Sequence, residues 1–325
     1  MNPSHSNRSF TSVLGAWTSL GVLKWLGLIP LFALNLSAAE IPLLNGSFES
    51  PAVAFVSTEI DSWQKSSKPA WYEEGDGFLW SQLTGLFKNT SSGSFDHIDN
   101  CDGNQAMWLF AVPEVGLTQE LTPEKPAEEQ LSDQSIRGLY ATGHRYVLTA
   151  GVMGMGGGMS NGVTLELGLF YRTETGSRGL VASTTITNSP AIFSNRTHLV
   201  SFEVRTPVVK PEDAWANRPI GISLMSTVGF ELQGGYWDLD NLRLMEITPP
   251  RLTVLGLSGD TFVFNLESEP DQRFEILTSS VASRPLPEWQ RLTTVTNETG
   301  VFEIKTTTSD AAARYYIARE LLRLP

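Results

Sequence analysis

The chain has 325 residues, 23 of them Lys or Arg against 35 Asp or Glu, for a net charge of −12. An acidic surface repels phosphate backbones, which argues against nucleic acid as a partner. One cysteine, Cys101, rules out an internal disulfide and fits bacterial export better than a disulfide-stapled eukaryotic secreted module.

Residues 1–39 hold Arg8 and Lys24, no acidic residue, an apolar run from Trp25 to Leu36, and Ser37-Ala38-Ala39 ahead of Glu40. This is the layout of a secretory signal peptide cut after Ala39. The apolar run is short for a membrane span, so the mature chain is expected to be secreted without one. Losing Arg8 and Lys24 takes the charge from −12 to −14 and leaves 286 residues, enough for one large core and a smaller second one.

After the leader, Asn45-Gly46-Ser47-Phe48-Glu49 reads as a short acidic turn into a first strand. Between Trp63 and Asp102 stand Trp63, Trp71, Tyr72, Phe78, Trp80 and Phe87 among Gly, Ser and Asp. Exposed aromatic rings beside polar side chains suit sugars, whose C–H faces stack on indole while hydroxyls bond to Asp, Asn and Gln. Trp71, Tyr72 and Trp80 are the candidate ligand platform, with Trp215, in the Pro-flanked stretch 207–219, in second rank. Trp63, after Ile60-Asp61-Ser62, is assigned to the core. Glu59-Ile60-Asp61 carries half of an E-x-D-x-x-E glycosidase pattern, but position 64 is Gln64, so the third acid is missing. His97, Asp99 and Asp102 are more simply solvated loop residues than a metal cluster.

Strand signals then dominate: residues 163–171, 198–204 and 220–224 are apolar or β-branched runs bounded by Gly, Asn, Pro or Ser. Only a polar piece near 127–134 hints at a short helix. Gly158-Met159-Ser160-Asn161-Gly162 has the spacing of a nucleophile elbow, yet a strand pattern follows where that motif needs a helix. The glycines of 151–162 are better suited to bulges or an irregular loop. They also lack the Lys-Ser/Thr and helix of a phosphate cradle. The stretch closes on Tyr236-Trp237-Asp238-Leu239-Asp240-Asn241-Leu242. Thr248-Pro249-Pro250 marks a boundary, because two prolines do not continue a paired strand. Five or six short strands follow, at 261–266, 273–278, 289–295, 301–305 and 314–318. The expected class is all-β, a jelly-roll β-sandwich over 40–248 followed by a small second β-sandwich over 249–325.

Several motifs occur in an order that resembles a family of secreted bacterial jelly-roll proteins, of carbohydrate-binding-module or galactose-binding-like type. They are the acidic turn at 45–49, Asp102-Gly103-Asn104-Gln105 before an apolar strand, Leu117-Thr118-Gln119-Glu120-Leu121, Thr142-Gly143-His144-Arg145-Tyr146-Val147-Leu148, and the Asp-Leu-Asp step at 238–240. The same fold serves calcium-dependent cyclases acting on indole-alkaloid precursors. Phe274-Glu275-Ile276-Leu277-Thr278, Trp289 and Arg314-Tyr315-Tyr316-Ile317 resemble a small β-sandwich appended to many secreted bacterial proteins.

The resemblance implies that the first and last strands lie side by side and share one structural Ca²⁺. Glu49 and Asp240 would supply side chains, and main-chain oxygens would come from near Gly103 or Asn104. Asp238 is expected on the other face of its strand and is set aside. The function these features favour is non-catalytic binding of a polysaccharide or cell-surface glycan. The alternatives are a structural surface or matrix protein, and a calcium-dependent cyclase whose catalytic acid the sequence does not identify.

Overall fold

The computed structural model describes residues 14–15, 39–75, 77–121, 138–268, 270–307 and 314–321. Most of the leader, and the polar piece 127–134, lie outside the described residues. Among the described residues, regular structure is strand apart from three single-turn 3₁₀ helices, so the chain is all-β. Contacts divide it into two compact units, one being Ala39–Ile247 and the other containing Thr248–Pro325.

The first described element is β1 (Leu14–Gly15), followed by β2 (Ala39–Ile41), β3 (Val56–Ser57), β4 (Gln64–Lys65), β5 (Thr84–Lys88), β6 (Gln105–Phe110), β7 (Gly116–Glu120), β8 (Arg145–Gly156), β9 (Thr164–Arg172), β10 (Arg178–Thr187), β11 (Val200–Arg205), β12 (Gly221–Ser226) and β13 (Tyr236–Ile247). In the Ala39–Ile247 unit these strands form two sheets, ordered β10-β9-β12-β7-β4 and β11-β8-β13-β6-β5-β3, with β2 on β13. All pairs are antiparallel, and successive strands largely alternate between the sheets, as in a jelly roll. The inward residues of both sheets make one core, in which Trp63, Leu109, Leu117, Leu167, Leu224, Trp237 and Leu239 are buried. Each such Leu contributes about 2 kcal/mol by leaving water.

One sheet is covered on its outer face as well. Ile98, Cys101 and Leu199 pack on Ala106 of β6 and Met153 of β8. That cover places the outward positions of β13 in the interior, including two aspartates.

The structure revises several sequence expectations. The strand beside β13 is β2, with Ile41 opposite Leu244. Glu49 instead follows a turn in which Asn45 and Phe48 both take φ 54°. The glycine run does not begin as a loop, because Gly151–Gly156 lies within β8 and only the remainder is irregular. Close backbone approach explains its composition: a Cβ on Gly151 would lie 3.2 Å from the Asp240 carbonyl across the ladder. Strands β5 and β10 went unread. β10 is an edge strand built largely of small and polar residues, so it lacks the apolar run that marks a buried strand.

The second unit contains β14 (Arg251–Ser258), β15 (Thr261–Glu267), β16 (Gln272–Ser279), β17 (Gln290–Asn297), β18 (Val301–Thr307) and β19 (Tyr315–Glu320). The sheets are β14-β15-β18 and β1-β19-β16-β17. Phe262, Phe264, Leu266, Phe274, Ile276, Ile304 and Tyr316 form its core. The Tyr316 ring lies 5.5 Å from Phe262 and 4.9 Å from Phe264. The strand β14, which directly follows the two prolines, also went unread.

Candidate functional site

Three connections cross between the sheets of the Ala39–Ile247 unit at one end: residues 66–83, 111–115 and 227–235. They are tied together by main-chain hydrogen bonds, Ser66 N–H to Gly116 O at 2.9 Å, Glu114 N–H to Ser226 O at 3.2 Å, and Gly234 N–H to Ala111 O at 2.8 Å. Aromatic side chains from the first and third meet there, and Glu114 joins them from the second. Trp71 lies edge-on to Tyr72, Trp80 and Phe230, with centroids 5.8, 6.1 and 4.8 Å away. Tyr72 meets Trp80 at 4.9 Å. The row continues through Phe78, Phe110 and Tyr236 at 5.1 and 6.0 Å, and Arg196 stacks on the Tyr236 ring at 5.1 Å.

Within this group the rings have different tasks. Trp80 is 7% exposed and its indole N–H donates to Ser66 O at 2.7 Å, so it is a support rather than a contact face. Lys65 holds the same 3₁₀ turn by donating to the carbonyls of Ser81 and Thr84. Trp71 and Tyr72 are half-buried, whereas Phe230 is 57% and Phe78 54% exposed. Polar groups border the rings: Glu114 accepts the Trp71 indole N–H at 3.1 Å, and Glu74 accepts the Trp80 backbone N–H at 2.7 Å and pairs with Lys68 at 3.3 Å. The hydrogen bond from Trp80 holds the Glu74 carboxyl below the usual range, with Lys68 acting in the same direction. Glu74 is therefore a carboxylate that accepts hydrogen bonds at neutral pH.

Trp215 does not join this surface. It packs edge-on against Tyr140 at 5.0 Å, and Tyr140 packs on Tyr146 at 5.3 Å. Phe230 and Phe78, the most exposed rings of this group, were not among the ligand candidates. Phe230 sits alone between Gly229 and Glu231, far in sequence from Trp71, and only the tertiary fold brings the two together.

At the opposite end of β6 lie the cation candidates. Glu49 Oε1 accepts the backbone N–H groups of Asn104 and Gln105, each at 2.7 Å. Asp240 Oδ2 accepts the Asp102 N–H at 2.6 Å. Both carboxylates thus grip residues 101–105, the entry to β6. Gln105 completes the arrangement by donating its side-chain amide to Phe48 O at 2.9 Å and to Pro51 O at 3.1 Å, while its side-chain oxygen takes the Val53 N–H. This buried glutamine fixes the segment that carries Glu49, a role the sequence did not disclose.

Asp240 is fully buried, and its other oxygen, Oδ1, has no hydrogen-bond partner. Burial pushes its carboxyl up to about 7, and the same burial raises the nearby Cys101 thiol. Glu49 Oε2 likewise makes no hydrogen bond among the described residues. Gly103 takes φ +102°, and a Cβ there would lie 2.6 Å from Glu49 Oε1. The Asn104 carbonyl accepts from Asn89 N–H at 2.8 Å, so the Gly103 carbonyl is the freer of the two. Among the described residues no three His, Cys, Asp or Glu side chains converge. A cation would therefore rest on two carboxylates and main-chain oxygens, an all-oxygen set of the kind Ca²⁺ takes.

Asp238 was expected on the opposite face. Residues two apart on a strand share a face, and Asp238 is indeed buried on the same side of β13 as Asp240. What separates them is their partners: Asp238 is ion-paired with Arg196, which also donates to Gly154 O at 2.7 Å. Burial raises the Asp238 carboxyl to about 6 in spite of that arginine. His97, Asp99 and Asp102 do not converge. His97 contacts Thr90 O at 2.5 Å, Asp99 pairs with His198 at 3.3 Å, and Asp102 pairs with Arg243.

No protein-family model and no curated protein matches the sequence. Among solved structures, a Stig cyclase from Fischerella sp. TAU, in complex with (3Z)-3-(1-methyl-2-pyrrolidinylidene)-3H-indole, is 18% identical with a TM-score of 0.45, covering 65% of this chain and 99% of its own. A family 16 carbohydrate-binding module is 12% identical with a TM-score of 0.28, covering 50% of this chain and 84% of its own. The Clostridium thermocellum xylanase 10B modules complexed with xylohexaose are 14% identical with a TM-score of 0.28, covering 50% of this chain and 24% of their own. None of these reaches a TM-score of 0.5, so function is read from this chain's own residues. No helix among the described residues is long and apolar enough to cross a membrane.

Proposed function

We propose that the chain is a secreted, calcium-stabilised, non-catalytic binding protein for a glycan, contacted through Trp71, Tyr72, Phe78 and Phe230. The observation that carries this is the grouping of exposed and half-buried rings from separate loops, bordered by Glu74, Glu114 and Lys68. Monomeric proteins leave large apolar rings exposed in groups mainly where something binds. Rings with polar neighbours suit a sugar, which offers both C–H faces and hydroxyls. Glu49 and Asp240 would hold Ca²⁺ with the Gly103 carbonyl, and the ion would supply the missing partner of Asp240 Oδ1. The role is structural, fastening the entry of β6 to β13.

Glycan-array screening and polysaccharide pull-down of the mature protein test the proposal. Capture of specific glycans supports it. Retention of none, by protein shown to be folded, points to the structural surface role.

A further inference from the structure

The aromatic surface has a sign of charge as well as a shape. Across the connections 66–83, 111–115 and 227–235 the sequence places five acidic residues, Glu73, Glu74, Asp76, Glu114 and Glu231, against one basic residue, Lys68. Lys68 is paired with Glu74. The neighbouring cations are engaged as well, Arg196 with Asp238, and Lys65 with the carbonyls of Ser81 and Thr84. Glu73, Glu114 and Glu231 make no ion pair among the described residues. The rings are therefore bordered by uncompensated carboxylates, and the field there attracts cations and repels anions.

Glu114 is held against the rings. Its Oε1 accepts the Trp71 indole N–H at 3.1 Å, and its Oε2 makes no hydrogen bond among the described residues. Its backbone takes φ 67°, a conformation that glycine adopts more cheaply, so the turn itself does not call for a glutamate. The rings beside it are not a flat platform. Trp71 stands at 75° to Tyr72 and at 82° to Phe230, with the Phe230 centroid 4.8 Å away. Rings set nearly perpendicular make the corner of a box. A neutral sugar stacks on one broad ring face, whereas an ammonium group is attracted by every ring within about 6 Å of it. A carboxylate at the wall of such a box adds Coulomb attraction for the same ion.

We propose that the glycan taken at this surface carries a protonated amine, as an unacetylated amino sugar does, with the ammonium seated against Trp71 and Phe230 and paired with Glu114. The inference rests on the glycan reading above and adds the charge of the ligand to it.

The test is calorimetric titration of the full mature chain, at neutral pH and low ionic strength, with hexasaccharides of glucosamine, N-acetylglucosamine, glucose and galacturonate. The glucosamine hexamer should bind about tenfold tighter than the N-acetylated and glucose hexamers, the scale of one charged contact. The galacturonate hexamer should bind weakest of the four, and rising salt should weaken the glucosamine complex by screening. Glu114→Gln keeps an acceptor for the Trp71 indole N–H and removes only the charge, and should cost about tenfold in affinity for the glucosamine hexamer. Glu298→Gln removes the same charge from an exposed position of the second unit and should cost nothing. Equal losses in the two variants would mean unspecific attraction to an acidic protein and overturn the proposal. Equal or tighter binding of an uncharged or acidic hexamer, or unchanged affinity in Glu114→Gln, overturns the amine and leaves the glycan reading standing. Binding of no hexamer by folded protein overturns the amine too, and the glycan array then decides the reading beneath it.

Discussion

Asp240 accepts the backbone N–H of Asp102 at 2.6 Å through one carboxylate oxygen, and its second oxygen is buried without any partner. Two segments more than a hundred residues apart are joined by a carboxyl group that burial pushes up to about 7, against the hydrogen bond from Asp102. The proposed cation on the free oxygen would reverse that shift. If the proposed Ca²⁺ site forms, calcium binding and folding of this unit would be coupled, because the unfolded chain does not bring Glu49 and Asp240 together.

Chelation of metal-loaded mature protein should lower the melting temperature of the Ala39–Ile247 unit. At a hundredfold excess of ion over its dissociation constant the coupling is about 2.7 kcal/mol, or roughly 5–10 °C for a unit of this size. Asp240→Asn keeps the side-chain shape and should lose the response. Superimposable melting curves with and without chelator would remove the ion from the account.

Gly103→Ala probes the same place through the backbone. The residue takes φ +102°, and the added methyl would press on Glu49. Denaturant unfolding should show a loss of about 1–3 kcal/mol, together with a weakened calcium response. A fully stable variant with normal calcium response would mean that the 101–105 loop adapts freely.

Trp80 and Trp71 should separate cleanly. Trp80→Ala removes a buried ring and its indole hydrogen bond, and should cost about 3–5 kcal/mol of stability. Trp71→Ala, at a half-buried ring, should cost distinctly less. Circular dichroism melts of the two variants decide this, and equal stability losses would assign Trp71 to the core.

The division of the chain predicts that residues 40–248 fold alone and keep the calcium response. A piece of about 75 residues beyond Pro250 buries little and should be marginal by itself. Limited proteolysis should nick first near residues 247–252. An insoluble 40–248 fragment would show instead that the two units depend on each other.

How much the sequence disclosed depends on whether the signal was local. Runs such as Leu165-Glu166-Leu167 and Ile222-Ser223-Leu224 carried their own strand pattern, so the all-β class was legible. Edge strand β10 was not, because its Ser and Thr residues face water on one side. Trp71, Tyr72 and Trp80 were legible as an aromatic group, but which ring shows a face and which is a support is decided by the Ser66 and Glu114 partners. Phe230 and Gln105 were invisible for the same reason: their meaning lies in neighbours distant along the chain.

The central claim is a glycan surface built on Trp71 and Phe230, and Phe230→Ala tests it most directly. Phe230 is 57% exposed, so its removal should leave the melting curve unchanged. Calorimetric titration with a glycan captured by the wild-type protein should then show a loss of about 1–3 kcal/mol in affinity, the scale of one aromatic contact. Wild-type affinity in folded Phe230→Ala, repeated in Trp71→Ala, would contradict the account and place the binding surface elsewhere.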